Sequence, residues 1–286
     1  MKLHNSTADC FVPDGTPPDT ALARITHLGI GAHQDDLEFM AFHGIVACYH
    51  SKDKWFGGVT CTNGAGSART GVYAGCTDLE MQCVRAGEQR AAAMAGRYGV
   101  MLQLGYTSAE AKAPTGSHLT GDLERILTAA RPEVVYTHNL ADKHDTHIGV
   151  VLSVIEAIRR LPAEARPGKL LGCEIWRGLD WMNDEEKTVL DVGGHDNLAA
   201  ALNGVFDSQI AGGKRYDLAA TGRRSANATF FQSHATDQST QLNFAMDLTP
   251  LVNDPAADPI EYALGFIDRF REDVRARISA RLGKPA

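Results

Sequence analysis

Apolar positions along this chain follow two rhythms that alternate. Short runs rich in β-branched residues, at 25–31, 58–62, 100–104, 133–137 and 170–176, are separated by stretches whose apolar residues recur at helical spacing. This alternation predicts a parallel sheet covered by helices on both faces. Leu37, Met40, Ala41, Gly44, Ile45 and Cys48 set the first helix, and Phe39, Phe42 and Val46 make its other face apolar, so it is expected to be buried. A long helix is predicted over residues 78–97. The next carries Leu123, Ile126, Leu127 and Ala130 until Pro132 stops it, and another sets Ile148, Val151, Leu152, Ile155 and Ile158 on one face. Beyond Trp176 the rhythm loosens into a short strand at 188–192, a helix over 197–210 and an apolar alternation at 242–248. A last helix, with Ala263, Phe266, Ile267, Phe270 and Val274, is expected to pack on the sheet. The fold class is therefore α/β and Rossmann-like, mostly parallel, with added strands and helices in the C-terminal part.

Composition narrows the picture further. A chain of 286 residues, 44% hydrophobic, can bury a large core, and the reading is an N-terminal extension over 1–18 followed by one domain over 19–286. The formal charge of -7, without a cluster of Lys and Arg, argues against a nucleic-acid footprint, which needs basic residues to neutralise phosphates. The six cysteines form no Cys-x-x-Cys pair and most lie in apolar segments, as buried reduced thiols do. The first twenty residues hold three acidic residues and three prolines with no continuous apolar run, so neither a signal peptide nor a membrane helix begins there. The expectation is a soluble cytoplasmic protein that takes a small molecule rather than nucleic acid or membrane, and that is compatible with homo-oligomerisation.

Two polar clusters interrupt the apolar pattern, and both follow predicted strands. The first is His33-Gln34-Asp35-Asp36; the second is His138 with His144-Asp145-Thr146-His147. In open α/β sheets ligands collect beyond the carboxyl ends of the strands, so the two clusters can meet there. A histidine and a carboxylate three residues apart can face one cation, and a third ligand from the second cluster leaves positions open for water and substrate. Taken singly, Asp35 and Asp36 read as ordinary helix N-terminal carboxylates, and His144 and His147 as first-turn surface histidines. Their joint occurrence at two strand ends points to metal-assisted hydrolysis. Gly29-Ile30-Gly31 fails as a dinucleotide fingerprint because Gln34 stands where a third glycine is required.

Ala32-His33-Gln34-Asp35-Asp36-Leu37-Glu38 resembles the Ala-His-Pro-Asp-Asp-x-Glu motif of the LmbE-like, or PIG-L, family of zinc-dependent deacetylases. His144-Asp145-Thr146-His147 resembles its His-x-Asp-His, and Arg85 and Glu88 its Arg-x-x-Glu. The likeness spans roughly residues 25–160. It implies a metal held by His33, Asp36 and His147, with Asp35 as general base and His144 as oxyanion stabiliser or acid. Zinc is the implied metal, although ferrous iron suits the same donors. The implied reaction removes an acetyl group from an N-acetylated small molecule, an N-acetyl amino sugar such as N-acetylglucosamine or a glycoside of one. Two departures stand out: Gln34 replaces a stiffening proline, and Thr146 replaces the aspartate before the last histidine, which leaves Asp142 or Asp145 to orient the catalytic imidazole of His144.

Weaker candidates for substrate contacts are Asn63, Ser67 and Arg69 in the glycine-rich loop after the second strand, and Lys214, Arg215, Tyr216, Arg223 and His234 farther on. Two other readings stay open at this level. One is a noncatalytic sugar-binding protein whose metal is structural; the other, argued only from fold analogy, is a nucleotide-dependent oxidoreductase.

Overall fold

The computed structural model describes residues 1–114 and 117–284. Five parallel strands form the middle of one sheet: β2 (His27–Gly31), β3 (Phe56–Thr62), β4 (Val100–Tyr106), β5 (Val134–His138) and β6 (Lys169–Cys173). With β1 (Asp9–Phe11), β7 (Thr188–Asp191) and β8 (Leu242–Asp247), the order across the sheet is β1-β4-β3-β2-β5-β6-β8-β7. The outer three strands, β1, β8 and β7, pair antiparallel. The chain builds outward from β2 through β3 to β4, then returns to β5 on the other side of β2. That reversal opens a crevice beyond the ends of β2 and β5, where such sheets bind ligands.

The helices are α1 (Pro18–Ala23), α2 (Asp36–Met40), α3 (Phe42–Tyr49), α4 (Asp78–Ala95), α5 (Ser108–Ala111), α6 (His118–Ala130), α7 (Asp145–Arg160), α8 (Asp196–Gly204), α9 (Asp207–Ile210), α10 (Tyr216–Phe230), α11 (Thr249–Asn253) and α12 (Pro259–Arg281). Strand alternation divides the core in two. Leu28, Ile30, Val59, Leu102 and Val135 pack with the apolar faces of α6 and α7, while Phe56, Met101, Tyr136 and Leu171 pack with α2, α3 and α8. On the second face β2 carries Gly29 and Gly31. A Cβ on Gly31 would stand 2.9 Å from that of Asp36, so glycine there lets α2 lie directly against the strand.

Four features differ from the pattern-based reading. The opening segment, read as an extension, is built into the sheet: β1 pairs with β4, and the side chain of Asn5 donates to Leu104 O at 2.9 Å. The first helix is broken at Ala41 into α2 and α3. The physical reason lies in Arg224, whose Nη2 donates to the carbonyls of Glu38 and Phe39 at 2.7 and 3.0 Å, both of which a continuous helix would have used internally. The segment after Gly213 forms a fifteen-residue helix, α10, that its weak apolar periodicity did not announce. Last, α12 was expected to lie on the sheet, yet none of its residues is buried.

Candidate metal centre

Three donor atoms converge in the crevice. His33 Nδ1 lies 3.4 Å from Asp36 Oδ2 and 3.2 Å from His147 Nε2, and His147 Nε2 lies 3.5 Å from Asp36 Oδ2. A tetrahedral ion with bonds of about 2.1 Å separates its ligands by about 3.4 Å, so these spacings match three corners of a tetrahedron. The donor set, two imidazoles and a carboxylate, would leave a fourth corner of such an ion open, the ligand count that catalytic zinc sites share.

Electrostatics leave Asp36 and His147 in ligating states, while at His33 the neighbouring Asp36 outweighs burial and raises the imidazole above its ordinary value. Burial pushes the Asp36 carboxyl up, but His147 and His138 beside it outweigh that and hold it well below the usual range. His147 is lowered to about 4, chiefly by burial and then by the neighbouring His138. At neutral pH the carboxylate is therefore ionised and this imidazole neutral, as coordination requires. His147 Nδ1 points to Asp142 Oδ1 at 3.6 Å, while Asp142 also accepts from the main-chain N–H groups of His144 and Trp176 at 3.0 and 3.2 Å. Asp145 is exposed at the first position of α7. Of the two carboxylates weighed as orienting groups, Asp142 is the one the fold puts beside an imidazole, and that imidazole belongs to His147.

His138, which the motif reading left without a role, ends β5 inside this cluster, 3.4 Å from Asp36 Oδ2. Its Nε2 accepts the Ala32 N–H at 2.9 Å. With that lone pair engaged it fixes the loop after β2 rather than offering a fourth ligand. Its position at a strand terminus just before the histidine-rich stretch was the available signal.

Asp35 sits beside the ligands in the left-handed region, at φ 88°, a conformation a non-glycine residue holds only when its surroundings enforce it. The enforcement comes from α4. Gln89 Oε1 accepts the Asp35 N–H at 3.1 Å, and Arg85 Nη2 donates to Asp35 Oδ2 at 2.9 Å and also to Gln34 O. Arg85 donates in turn to Glu88 at 3.0 Å, and Glu88 accepts the backbone N–H and hydroxyl of Ser208 at 2.6 and 2.8 Å. Burial raises the Asp35 carboxyl to about 6 against the pull of Arg85. Gln34 compensates for the absent proline: its amide donates to Thr62 O at 3.1 Å and to Gln103 at 3.3 Å, tying the loop to β3 and β4. Gly64, at φ +75°, makes room for this amide, since a Cβ there would meet Gln34 Oε1 at 2.7 Å.

His144 is the N-cap of α7. Its Nδ1 accepts the Thr146 N–H at 3.3 Å, which assigns the ring proton to Nε2 in the neutral form. Burial, and then His33, lower its basicity. The ring lies 4.8 Å, centroid to centroid, from that of His33.

A cavity of about 610 Å³ opens onto this cluster, lined by His33, Asp35, Asp36 and His144 on one side. Phe39, Trp176 and Tyr216 form an aromatic wall, with Trp176 and Tyr216 edge-to-face at 5.9 Å and Lys214 Nζ 5.3 Å from the Trp176 ring centroid. Of the weaker candidates, Ser67, Lys214, Tyr216 and Arg223 line the cavity. Asn63, Arg69, Arg215 and His234 do not. Arg69 turns to Asp78 and the Ala65 and Cys76 carbonyls, Arg215 pairs with Asp217, Asn63 caps its own turn through Ala65 N–H, and His234 is exposed. Trp176 and Arg224 line the cavity as well, and so does Glu174, which sequence reasoning did not single out. They come from the segment that carried no motif.

Comparison with known proteins gives consistent results. Residues 28–158 match the PIG-L family model, described as GlcNAc-PI de-N-acetylase. No curated protein matches the chain. Among solved structures, the N,N'-diacetylchitobiose deacetylase of Pyrococcus horikoshii superposes with a TM-score of 0.58 at 16% identity, covering 77% of this chain and 83% of that one. The zinc-inhibited form of teicoplanin deacetylase does so at 0.54 and 12%, covering 78% and 97%. The 4-carboxy-2-hydroxymuconate hydratase of Pseudomonas putida gives 0.57 and 16%, covering 78% and 96%. At these identities the likeness is one of fold, and the fold hosts more than one chemistry.

Proposed function

We propose, from the match of residues 28–158 to the PIG-L family model, that this protein is a metal-dependent hydrolase that removes the acetyl group from an N-acetylated amino sugar or its glycoside. The observation that carries the reading is the 3.2–3.5 Å triangle of His33, Asp36 and His147 with the buried Asp35 carboxylate beside it. A divalent ion held by those three, zinc or ferrous iron, supplies Lewis acidity toward water and an acyl oxygen.

The remaining chemistry belongs to side chains. Asp35 Oδ2 is held by Arg85, and among the described residues no protein donor reaches Oδ1, which takes the proton of the attacking water. Neutral His144, its Nδ1 committed to the helix cap, presents Nε2–H as a donor where negative charge develops on the acyl oxygen. The proton held on Asp35 then passes to the departing amine. Trp176 and Tyr216 offer faces and edges on which a pyranose ring stacks, while Ser67, Lys214 and Arg223 present donors to its hydroxyls.

Amine release from a panel of N-acetylated amino sugars and glycosides tests this. Turnover by the wild type, with a loss of about 10³-fold or more in Asp35→Asn at unchanged metal content, is the expected result. No amine from any member of the panel, with ligand affinity unaltered by Asp35→Asn, would instead favour a sugar-binding protein with a structural metal.

A further inference from the structure

The last helix, α12, is 23 residues long, and none of its residues is buried. Ile260, Leu264, Ile267, Val274, Ile278 and Leu282 are exposed to between 38% and 66%. From Ile260 through Leu264, Ile267, Arg271 and Val274 to Ile278 the steps alternate between four residues and three, the seam of a coiled coil. At about 100° per residue this seam lies on the side of the helix away from Tyr262, Phe266 and Arg269. Those three hold α12 to the body: Tyr262 Oη donates to Asp247 O at 2.6 Å, Phe266 and Tyr262 pack against the core, and Arg269 pairs with Glu186. The helix thus has two apolar faces, and only one is used by its own chain. An exposed stripe of this kind, broken only by Arg271, marks a docking surface.

We propose that the seam of α12 pairs antiparallel with α12 of a second copy of this chain across a two-fold axis. Charge selects both the partner and the direction. Beside the seam the N-terminal half carries Glu261 and Asp268, and the C-terminal half carries Arg275. Reversing one helix brings Glu261 next to Arg275 of the other copy, and sets Ile260 on Ile278 and Leu264 on Val274. Arg271 then faces Ile267 near the axis, its charge met by Asp268, 3.3 Å away in the same chain. Parallel pairing would instead stack Arg271 on Arg271 and leave Glu261 and Arg275 without an opposite charge across the seam, since they would then face Ala256 and Phe270. An anionic membrane surface is disfavoured by the same two acidic residues flanking the seam.

Sedimentation equilibrium of the full chain tests the pairing. The expected mass is twice 30.8 kDa, reverting to 30.8 kDa in Leu264→Glu/Val274→Glu with thermal midpoint and far-ultraviolet dichroism unchanged. Direction is read by oxidation in a Cys10→Ser/Cys83→Ser background, which removes the exposed thiols. Leu264→Cys mixed with Val274→Cys is expected to cross-link, and neither variant alone. A wild type that stays monomeric at 100 µM overturns the proposal, whether or not it sediments with phosphatidylserine vesicles. So does a dimer that survives the double glutamate substitution, or self-cross-linking of Leu264→Cys alone.

Discussion

Asp35 and Asp36 are chain neighbours with opposite assignments, and the difference comes from what each faces. Asp36 lies among three imidazoles, whereas Asp35 meets one guanidinium and the open cavity. The motif made both residues legible, along with His33 and His147, because ligand spacing is local and the two strand ends follow from the hydrophobic rhythm. It could not reveal that Gln34 replaces proline stiffness with two side-chain hydrogen bonds, since the acceptors on β3 and β4 are distant in sequence. It also left Asp142 and Asp145 as equal substitutes for the missing aspartate, and packing separates them. Asp142→Asn is expected to weaken metal affinity 10–100-fold, whereas Asp145→Asn leaves it within about twofold, as competition with a chromophoric chelator would show. Equal effects of the two substitutions would contradict the orientation of His147 by Asp142.

At the scale of elements, the strands and the long helices α4 and α7 were readable, for their apolar faces meet the sheet. The break between α2 and α3 and the existence of α10 were not. The break goes with a long-range interaction, the buried Arg224 of α10 reaching the Glu38 and Phe39 carbonyls, with its guanidinium carbon 4.3 Å from the Phe42 ring centroid. Arg224→Leu strips the buried Glu38 carbonyl of its side-chain donor and leaves the Phe39 carbonyl only Asn243 Nδ2 at 3.4 Å, so a loss of about 1–3 kcal/mol is expected in urea unfolding. A change below about 0.5 kcal/mol would show that the break is set by α2 and α3 alone. The misreading of α12 has a different origin: its apolar periodicity is real, but a pattern does not state whether the covering surface comes from the same chain.

For the whole molecule, acid stability follows from a histidine far from the cavity. His27 on β2 is held neutral, lowered to about 4 by burial and then by Lys54, with its ring stacked 6.3 Å from Tyr136. The unfolded chain binds this proton near the ordinary value of 6.5 and the folded chain only near 4. Stability from this group is therefore complete above pH 6.5 and drains as pH falls from there through 4. Denaturant unfolding between pH 7 and 4 is expected to show a shallower decline in His27→Gln than in the wild type; parallel curves would contradict the assignment. Among the described residues no helix is long and apolar enough to cross a membrane.

The central claim is that residues from two strand ends share one ion. A crystal of the protein loaded with zinc, measured at the metal's absorption edge, tests it directly. The expected anomalous map has one strong peak per chain about 2.0–2.2 Å from His33 Nδ1, Asp36 Oδ2 and His147 Nε2, with Asp35 close by but uncoordinated. A peak that omits any of the three, or metal found only on surface histidines, would contradict the account.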